Sequence, residues 1–239
     1  MSVVMFDIDD TLINNNTIEK VMIKYGCEHA EVKYDYRQMD IPTEAMDEIE
    51  MMFNSDEHAG DFLPNEGMEE FVSELVKLGH VPISVTKRPD SVRRSTREMI
   101  NKFFPDIKFI FFGKSEKWPL IEACDVTHVF DDSSSVIMEL QEKPVKVFMM
   151  SNEMTAHNHE FVKAGGFKVE KIINRIDVKR IIDEYFRARF LVSVDGEVFV
   201  ITQDSGNQYK NCNGTIFNFP SKPSPREVYK GIEVIKELS

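Results

Sequence analysis

Three aspartates fall within four positions where the first apolar run of the chain ends, in Val3-Val4-Met5-Phe6-Asp7-Ile8-Asp9-Asp10-Thr11. Carboxylates repel one another and are costly to remove from water, so crowding them calls for a compensating charge. Three more polar sets close later apolar runs: Thr86-Lys87-Arg88 after VPISV, Lys114 and Lys117 after IKFIFF, and Asp131-Asp132 at the end of THVFDD. Brought together, these groups make a carboxylate cluster beside a hydroxyl and an ammonium. Mg²⁺ prefers oxygen ligands at about 2.0–2.1 Å and usually keeps several waters. Asp7 and one of Asp131 and Asp132 supply such oxygens. The ion would screen a phosphate dianion from an attacking carboxylate, while Thr86 and a lysine hold the remaining phosphate oxygens.

The elements that must position these residues follow a rhythm. Val3 to Ile8 is short, β-branched and nearly all apolar, as in a strand buried on both faces. MEEFVSELVKLG reads as an amphipathic helix with Phe71, Leu75 and Leu78 on one face and Gly79 as its C-terminal cap. Strands are then expected at 81–86, 107–112, 127–132 and 145–150. Helices alternate with them in SVRRSTREMINKFF, WPLIEAC and SVIMELQEK. That alternation implies parallel crossovers and an α/β, Rossmann-like sheet with helices on both faces. Its working groups collect at the carboxyl ends of the strands. Residues 14–62 carry helical spacing and read as a small insert of two or three helices. Beyond a helix near 176–188 the pattern changes. FLVSVDGEVFVI alternates around Asp195-Gly196 as a hairpin, GTIFNF offers a further strand, and REVYKGIEVIKEL reads as a closing helix. The expected organisation is a core of residues 1–13 and 63–189, a helical cap at 14–62, and a C-terminal α+β appendage at 190–239.

FDIDDTL resembles the first motif, Asp-x-Asp-x-Thr after a strand, of the haloacid-dehalogenase-like phosphohydrolases. Thr86 is similar to their second motif, a lysine before the last aspartates to the third, and Asp131-Asp132 to the fourth. The resemblance covers about residues 1–150 without the insert, and four elements in order are more specific than one. It implies that Asp7 is the nucleophile forming an aspartyl-phosphate. Asp9 would protonate the leaving oxygen and then activate water, and its backbone carbonyl would reach the metal. Thr11 would brace the loop. Metal ligands would come from Asp7, Asp9, Asp131 and Asp132, phosphate contacts from Thr86, Lys87 and Lys117, and the cofactor would be Mg²⁺. Lys117 is preferred to Lys114 because the family places this lysine at a helix start. The insert sits where the family carries a cap, a lid that excludes water and chooses substrate. Its length is similar to the small caps of 5′(3′)-deoxyribonucleotidases, whose pockets are lined by aromatic residues; Phe53, Tyr34 and Tyr36 are available here.

Composition narrows the partners. Lys plus Arg is 29 against 41 Asp plus Glu, a net charge of −12. Such a surface disfavours long nucleic acid but admits a small phosphorylated substrate. The three cysteines form no CxxC and read as reduced thiols of a cytoplasmic protein, and no membrane span or signal segment is evident. FGKSEK lacks the upstream glycine of a nucleotide P-loop. His157 and His159 read as a polar loop after the fifth strand, and Lys87-Arg88 before Pro89 reads either as a turn or as a contact to the non-reacting part of a substrate. Exposed edges of the 190–201 hairpin offer a contact for a second copy. The expected activity is Mg-dependent phosphomonoester hydrolysis, on a nucleoside monophosphate or other small ester. The alternatives are a phosphatase of nucleic-acid 3′-phosphate ends, a phosphotransferase, and a non-catalytic binding protein on the same fold.

Overall fold

The computed structural model describes residues 2–31, 36–58, 60, 62–151, 155–195, 197–211, 213, 215–220, 222–223, 228–229 and 232–238. The chain runs β1 (Val3–Phe6), β2 (Ile13–Asn14), α1 (Thr17–Tyr25), α2 (Thr43–Asn54), β3 (Leu63–Pro64), α3 (Met68–Lys77), β4 (Val81–Val85), α4 (Arg93–Phe103) and β5 (Ile110–Phe111). It continues with α5 (Trp118–Ala123), β6 (Val126–Asp131), α6 (Ser134–Glu139), β7 (Lys146–Met150), α7 (Ala156–Ala164), β8 (Lys171–Ile173) and α8 (Val178–Ile181), which passes into a π-helical turn at Ile182–Phe186. Last come β9 (Arg189–Val194), β10 (Glu197–Ser205), β11 (Gln208–Lys210), β12 (Ile216–Asn218), β13 (Val228–Tyr229) and β14 (Ile232–Leu238).

Six strands form a parallel sheet in the order β5-β4-β1-β6-β7-β8. Side chains alternate along a strand, and both faces of β1 are covered. Val4 and Phe6 join Phe71, Phe130 and Phe148 on one side, while Met5 joins Ile83, Val129 and Val147 on the other. The rings of Phe6, Phe130 and Phe148 stack at centroid distances of 5.0 and 4.6 Å. Burying each is worth about 1.5–3 kcal/mol. α3 presents Phe71, Val72 and Leu75 to the same core, and Gly79 follows with φ +84, a left-handed value that suits glycine.

The ends of the 14–62 segment are zipped together by the antiparallel ribbon of β2 and β3, with Ile13 opposite Pro64 and Asn14 opposite Leu63. α1 and α2 pack on each other around a small cluster of their own, including Val21, Met22, Ala45 and Ile49. The C-terminal strands form a separate antiparallel sheet, ordered β12-β11-β10-β9-β14-β13, around Phe190, Val192, Ile201, Tyr209 and Val234. Gln203 ties it to the core: its Nε2 donates to Leu78 O at 3.0 Å, and its Oε1 accepts from the Ala188 N–H at 3.2 Å.

Several expectations are corrected. The closing helix expected over 226–238 is absent from its described residues: Val228–Tyr229 and Ile232–Leu238 are strands, and β14 pairs with β9, Val234 opposite Val192. Strand propensity depends on neighbours more than on local sequence, and an apolar strand lay ready to pair. The described appendage is therefore all β. His157 and His159 lie in α7 rather than in a loop. The third expected strand shrinks to Ile110–Phe111, and the helix after Asp132 stops at Glu139. Gly196 of the expected hairpin turn, and Cys212, lie outside the described residues.

Candidate functional site

Because β1 is flanked by β4 and β6, the segments leaving these three strands meet at one edge. The Asp7 N–H donates to Phe130 O at 3.0 Å, extending the β1–β6 ladder by one residue. The chain then turns, with the N–H groups of Leu12 and Ile13 both reaching Ile8 O at 3.0 Å. Ile8 and Leu12 are fully buried anchors of this turn. Asp10 sits at φ +54, a left-handed conformation that aspartate tolerates better than most residues. Asn65 braces the turn by donating from Nδ2 to Thr11 O at 2.9 Å.

Of the two candidate lysines, Lys117 is the one that meets the aspartates. It is 1% exposed, whereas Lys114 is exposed to solvent. Its Nζ donates to Asp7 Oδ1 at 2.5 Å and to Asp131 Oδ2 at 2.7 Å. The other oxygen of Asp131 accepts the Ser133 N–H at 2.9 Å. Glu139, which the sequence reading did not single out, accepts the backbone N–H groups of Lys117 and Trp118 at 3.2 and 2.8 Å and so fixes the start of α5. Thr86, also buried, follows β4 directly and accepts the Arg88 N–H at 3.1 Å. Lys87 is exposed at the same edge, 3.3 and 3.2 Å from the hydroxyls of Ser133 and Ser135.

Arg88, read from sequence as a turn or an outer substrate contact, instead points inward. Its Nε and Nη2 grip the two oxygens of Asp9 at 2.8 Å each, and Nη1 donates to Thr96 Oγ1 at 2.8 Å. Asn15 Nδ2 adds a 2.6 Å bond to Asp9 Oδ1. Nothing in the spacing announces this pair; a buried arginine needs a carboxylate, and that is the only signal the sequence offers.

The charges do not balance. Burial pushes the Asp7 carboxyl up to about 7, with Asp131 and Asp9 pushing the same way against Lys117. Burial, then Asp131, Asp7 and Asp10, raises Asp132 well above the usual carboxylate range. One ammonium faces two carboxylates: burial disfavours its charge, but Asp131 and Asp7 outweigh that and hold Lys117 protonated. For Asp9, burial is overcome by Arg88 and Asn15, which keep it below the ordinary range. Asp7 and Asp132 thus offer oxygen donors that hold their protons more tightly than ordinary carboxyls, because burial and neighbouring carboxyls outweigh the one ammonium. That donor chemistry fits a hard cation held by one or two carboxylates plus water; among the described residues no three His, Cys, Asp or Glu side chains form a closed metal cage. Tyr34 and the side chain of Tyr36, expected in the cap, lie outside the described residues; Phe53 packs partly against the α1–α2 cluster.

No family model matches the chain, and neither does any curated protein. Solved structures share its fold. A HAD family hydrolase from Deinococcus radiodurans R1, solved with bound phosphate and sodium, superposes with a TM-score of 0.54 at 12% identity, over 76% of this chain and 93% of that one. A protein from Clostridium acetobutylicum described as a predicted phosphatase gives 0.51 at 15% identity, over 76% and 98%. A haloacid dehalogenase-like hydrolase from Streptococcus pneumoniae gives 0.50 at 10% identity, over 76% and 97%. At such identities the likeness is one of fold.

Proposed function

We propose that the chain hydrolyses phosphomonoesters through an aspartyl-phosphate on Asp7. The observation that carries this reading is the pairing of Asp7 and Asp131 through one buried lysine at the carboxyl edge of a parallel sheet. Phosphatases named among the proteins sharing the fold support the same class of reaction.

The free oxygen of Asp7 attacks phosphorus while its other oxygen stays on Lys117. The bond from phosphorus to the ester oxygen breaks, and that oxygen takes a proton through Asp9, which first binds one from water because Arg88 holds it ionised. A water then gives a proton back to Asp9 and attacks the aspartyl-phosphate, releasing inorganic phosphate and restoring Asp7. Lys117 and the Thr86 hydroxyl hold the non-bridging oxygens. Lys87 stands at the rim for the same anion. Magnesium, when bound, supplies the positive charge that lets a dianion approach a carboxylate. Asp7, Asp132 and the Asp9 carbonyl would hold it, with Asp131, whose oxygens accept from Lys117 and from the Ser133 N–H, as the further carboxylate beside them. The favoured substrate is a small ester such as a nucleoside monophosphate, chosen under the α1–α2 pair.

The test is phosphate release from 4-nitrophenyl phosphate by the full chain. Release is expected with Mg²⁺ and is expected to stop on EDTA addition. Asp7→Asn should lower it by roughly 10⁴-fold or more with an unchanged circular dichroism spectrum. An active Asp7→Asn protein sinks the proposal. A panel of nucleoside monophosphates, sugar phosphates and 3′-phosphorylated oligonucleotides then ranks the leaving groups.

A further inference from the structure

The negative charge of the chain is unevenly spread. Residues 87–117 carry nine Lys and Arg against four Asp and Glu, in a chain with 29 against 41. Arg88 and Lys117 are buried at the site; the other seven cations are exposed. Arg93 and Arg94 pair with Asp90 and Asp56, but Arg97, Lys108 and Lys114 make no ion pair among the described residues.

Topology lines these groups up beside the site. β5 is the outermost strand and runs parallel to β4, so α4, which joins them, returns from the carboxyl edge toward the amino edge alongside β5. Arg93 and Arg97 are one turn apart, about 6 Å along the axis. Their row is the one that meets β5, since the Arg93 guanidinium lies 5.0 Å from the centroid of the Phe112 ring. Ile110 packs against the cluster that holds Ile100 and Phe104 and so seats β5 on α4. Past the carboxyl end of β5, the Lys114 N–H donates to Thr86 O at 3.0 Å and the Gly113 N–H to Arg88 O at 2.9 Å. About 10 Å of strand separates Phe112 from Phe109. Phe109 is 59% exposed, and its carbonyl accepts the Ser84 N–H at 2.9 Å. A strip of cations with an open aromatic ring thus leads away from Thr86, where the reaction holds the phosphate.

Guanidinium groups grip phosphates, and an exposed aromatic face stacks a base, so this combination suits single-stranded nucleic acid. At physiological salt a charge is felt over about 8 Å. A strand lying on the strip therefore meets its cations rather than the acidic remainder of the surface, whereas a wider duplex meets both. We propose that the face formed by α4 and β5 binds a short single strand whose terminal phosphomonoester enters the Asp7 site. The proposal rests on the phosphatase reading above and names its leaving group: an oligonucleotide, of which a nucleoside monophosphate is the shortest member.

The experiment takes the full chain with Mg²⁺ and compares hexathymidylate bearing a 3′- or a 5′-phosphate with the matching thymidine monophosphate. In 50 mM salt one hexamer should exceed its monomer in kcat/KM by about tenfold, through KM, and most of that ratio should be gone at 200 mM. Arg97→Glu should lower the ratio at least about threefold and Phe109→Ala about fivefold. Lys236→Glu, the same kind of charge reversal on β14, should leave it within about 1.5-fold. Ratios near one in both polarities, with the monomers hydrolysed, overturn the surface and leave the phosphatase reading standing. Equal losses from Arg97→Glu and Lys236→Glu reduce the effect to net charge and overturn it too. If no ester is hydrolysed, the phosphatase reading falls, and with it the entry of a terminal phosphate. The binding face is then decided by fluorescence anisotropy of fluorescein-labelled hexathymidylate, with at least about threefold weaker binding expected for Arg97→Glu. Unaltered binding by that variant overturns the face. A labelled hexaglutamate held as tightly as hexathymidylate means that acidic peptide fits equally well, and the assignment to nucleic acid fails.

Discussion

At the carboxyl edge of the parallel sheet, Lys117 is buried as a charge between Asp7 and Asp131; toward its amino edge, His80 and His128 are buried without one. His80 shares a 3.1 Å bond between Nε2 and Phe186 O, and burial lowers its pKa despite that bond. His128 lies against Phe148 and Phe186, at centroid distances of 6.1 and 4.6 Å, with Nε2 lacking a hydrogen-bond partner. Burial, helped by Lys146 and His80, takes its pKa down to about 4. Similar burial thus has two outcomes. Where carboxylates lie within hydrogen-bond reach, as around Lys117, the buried ammonium keeps its charge. Where the neighbours are aromatic rings, the group gives up its charge and becomes packing.

The sharpest way to break that contrast is to remove the ammonium. Lys117→Met leaves Asp7 and Asp131 facing each other in a buried site. A loss of roughly 3–5 kcal/mol is expected from urea unfolding at pH 8, with phosphate release abolished. The loss should shrink at pH 5, because protonating either carboxyl relieves the repulsion. A variant as stable as the wild type at pH 8 would mean that the carboxyl edge holds no such charge.

The amino edge makes the opposite prediction for pH. His128 ordinarily titrates near 6.5 and titrates near 4 when folded. Between these values the unfolded chain binds the extra proton, so stability rises with pH across the window and is fully present above it. The group should cost the native state up to roughly 3 kcal/mol as pH falls from 6.5 to 4. His128→Phe keeps an aromatic ring between Phe148 and Phe186 and should remove that part of the acid sensitivity. Urea midpoints at pH 7, 5 and 4 measure it; parallel pH profiles for the two proteins would refute the neutral-histidine account.

The smallest expected effect lies where the C-terminal sheet meets the base of the core. Gln203→Ala strips partners from Leu78 O, Gly206 O and the Ala188 N–H. A destabilisation of about 1–3 kcal/mol is expected. Phosphate release should be unchanged, since the site lies at the opposite edge of the sheet. Lost activity with retained stability would tie this sheet to the chemistry.

The apolar runs and their polar ends were enough to place β1, β4 and β6 and to put Asp7, Thr86 and Asp131 at one edge of the sheet, because a short buried strand and its terminal loop are written locally. REVYKGIEVIKEL misled because its Val and Ile residues satisfy a helical spacing and a strand spacing alike. The free side of β9 settled that choice. Lys114 and Lys117 are equal as sequence; only the start of α5, fixed by Glu139, aims one of them inward.

By itself, then, the sequence determined the parallel sheet and which residue types gather at its working edge, since strand periodicity and chain direction follow from neighbouring residues. The tertiary structure alone decided which charges meet: Lys117 between Asp7 and Asp131, and Arg88 upon Asp9. A pairing between residues 79 or 110 positions apart depends on distances that no local pattern encodes, and a buried charge stays a charge only where such a partner arrives.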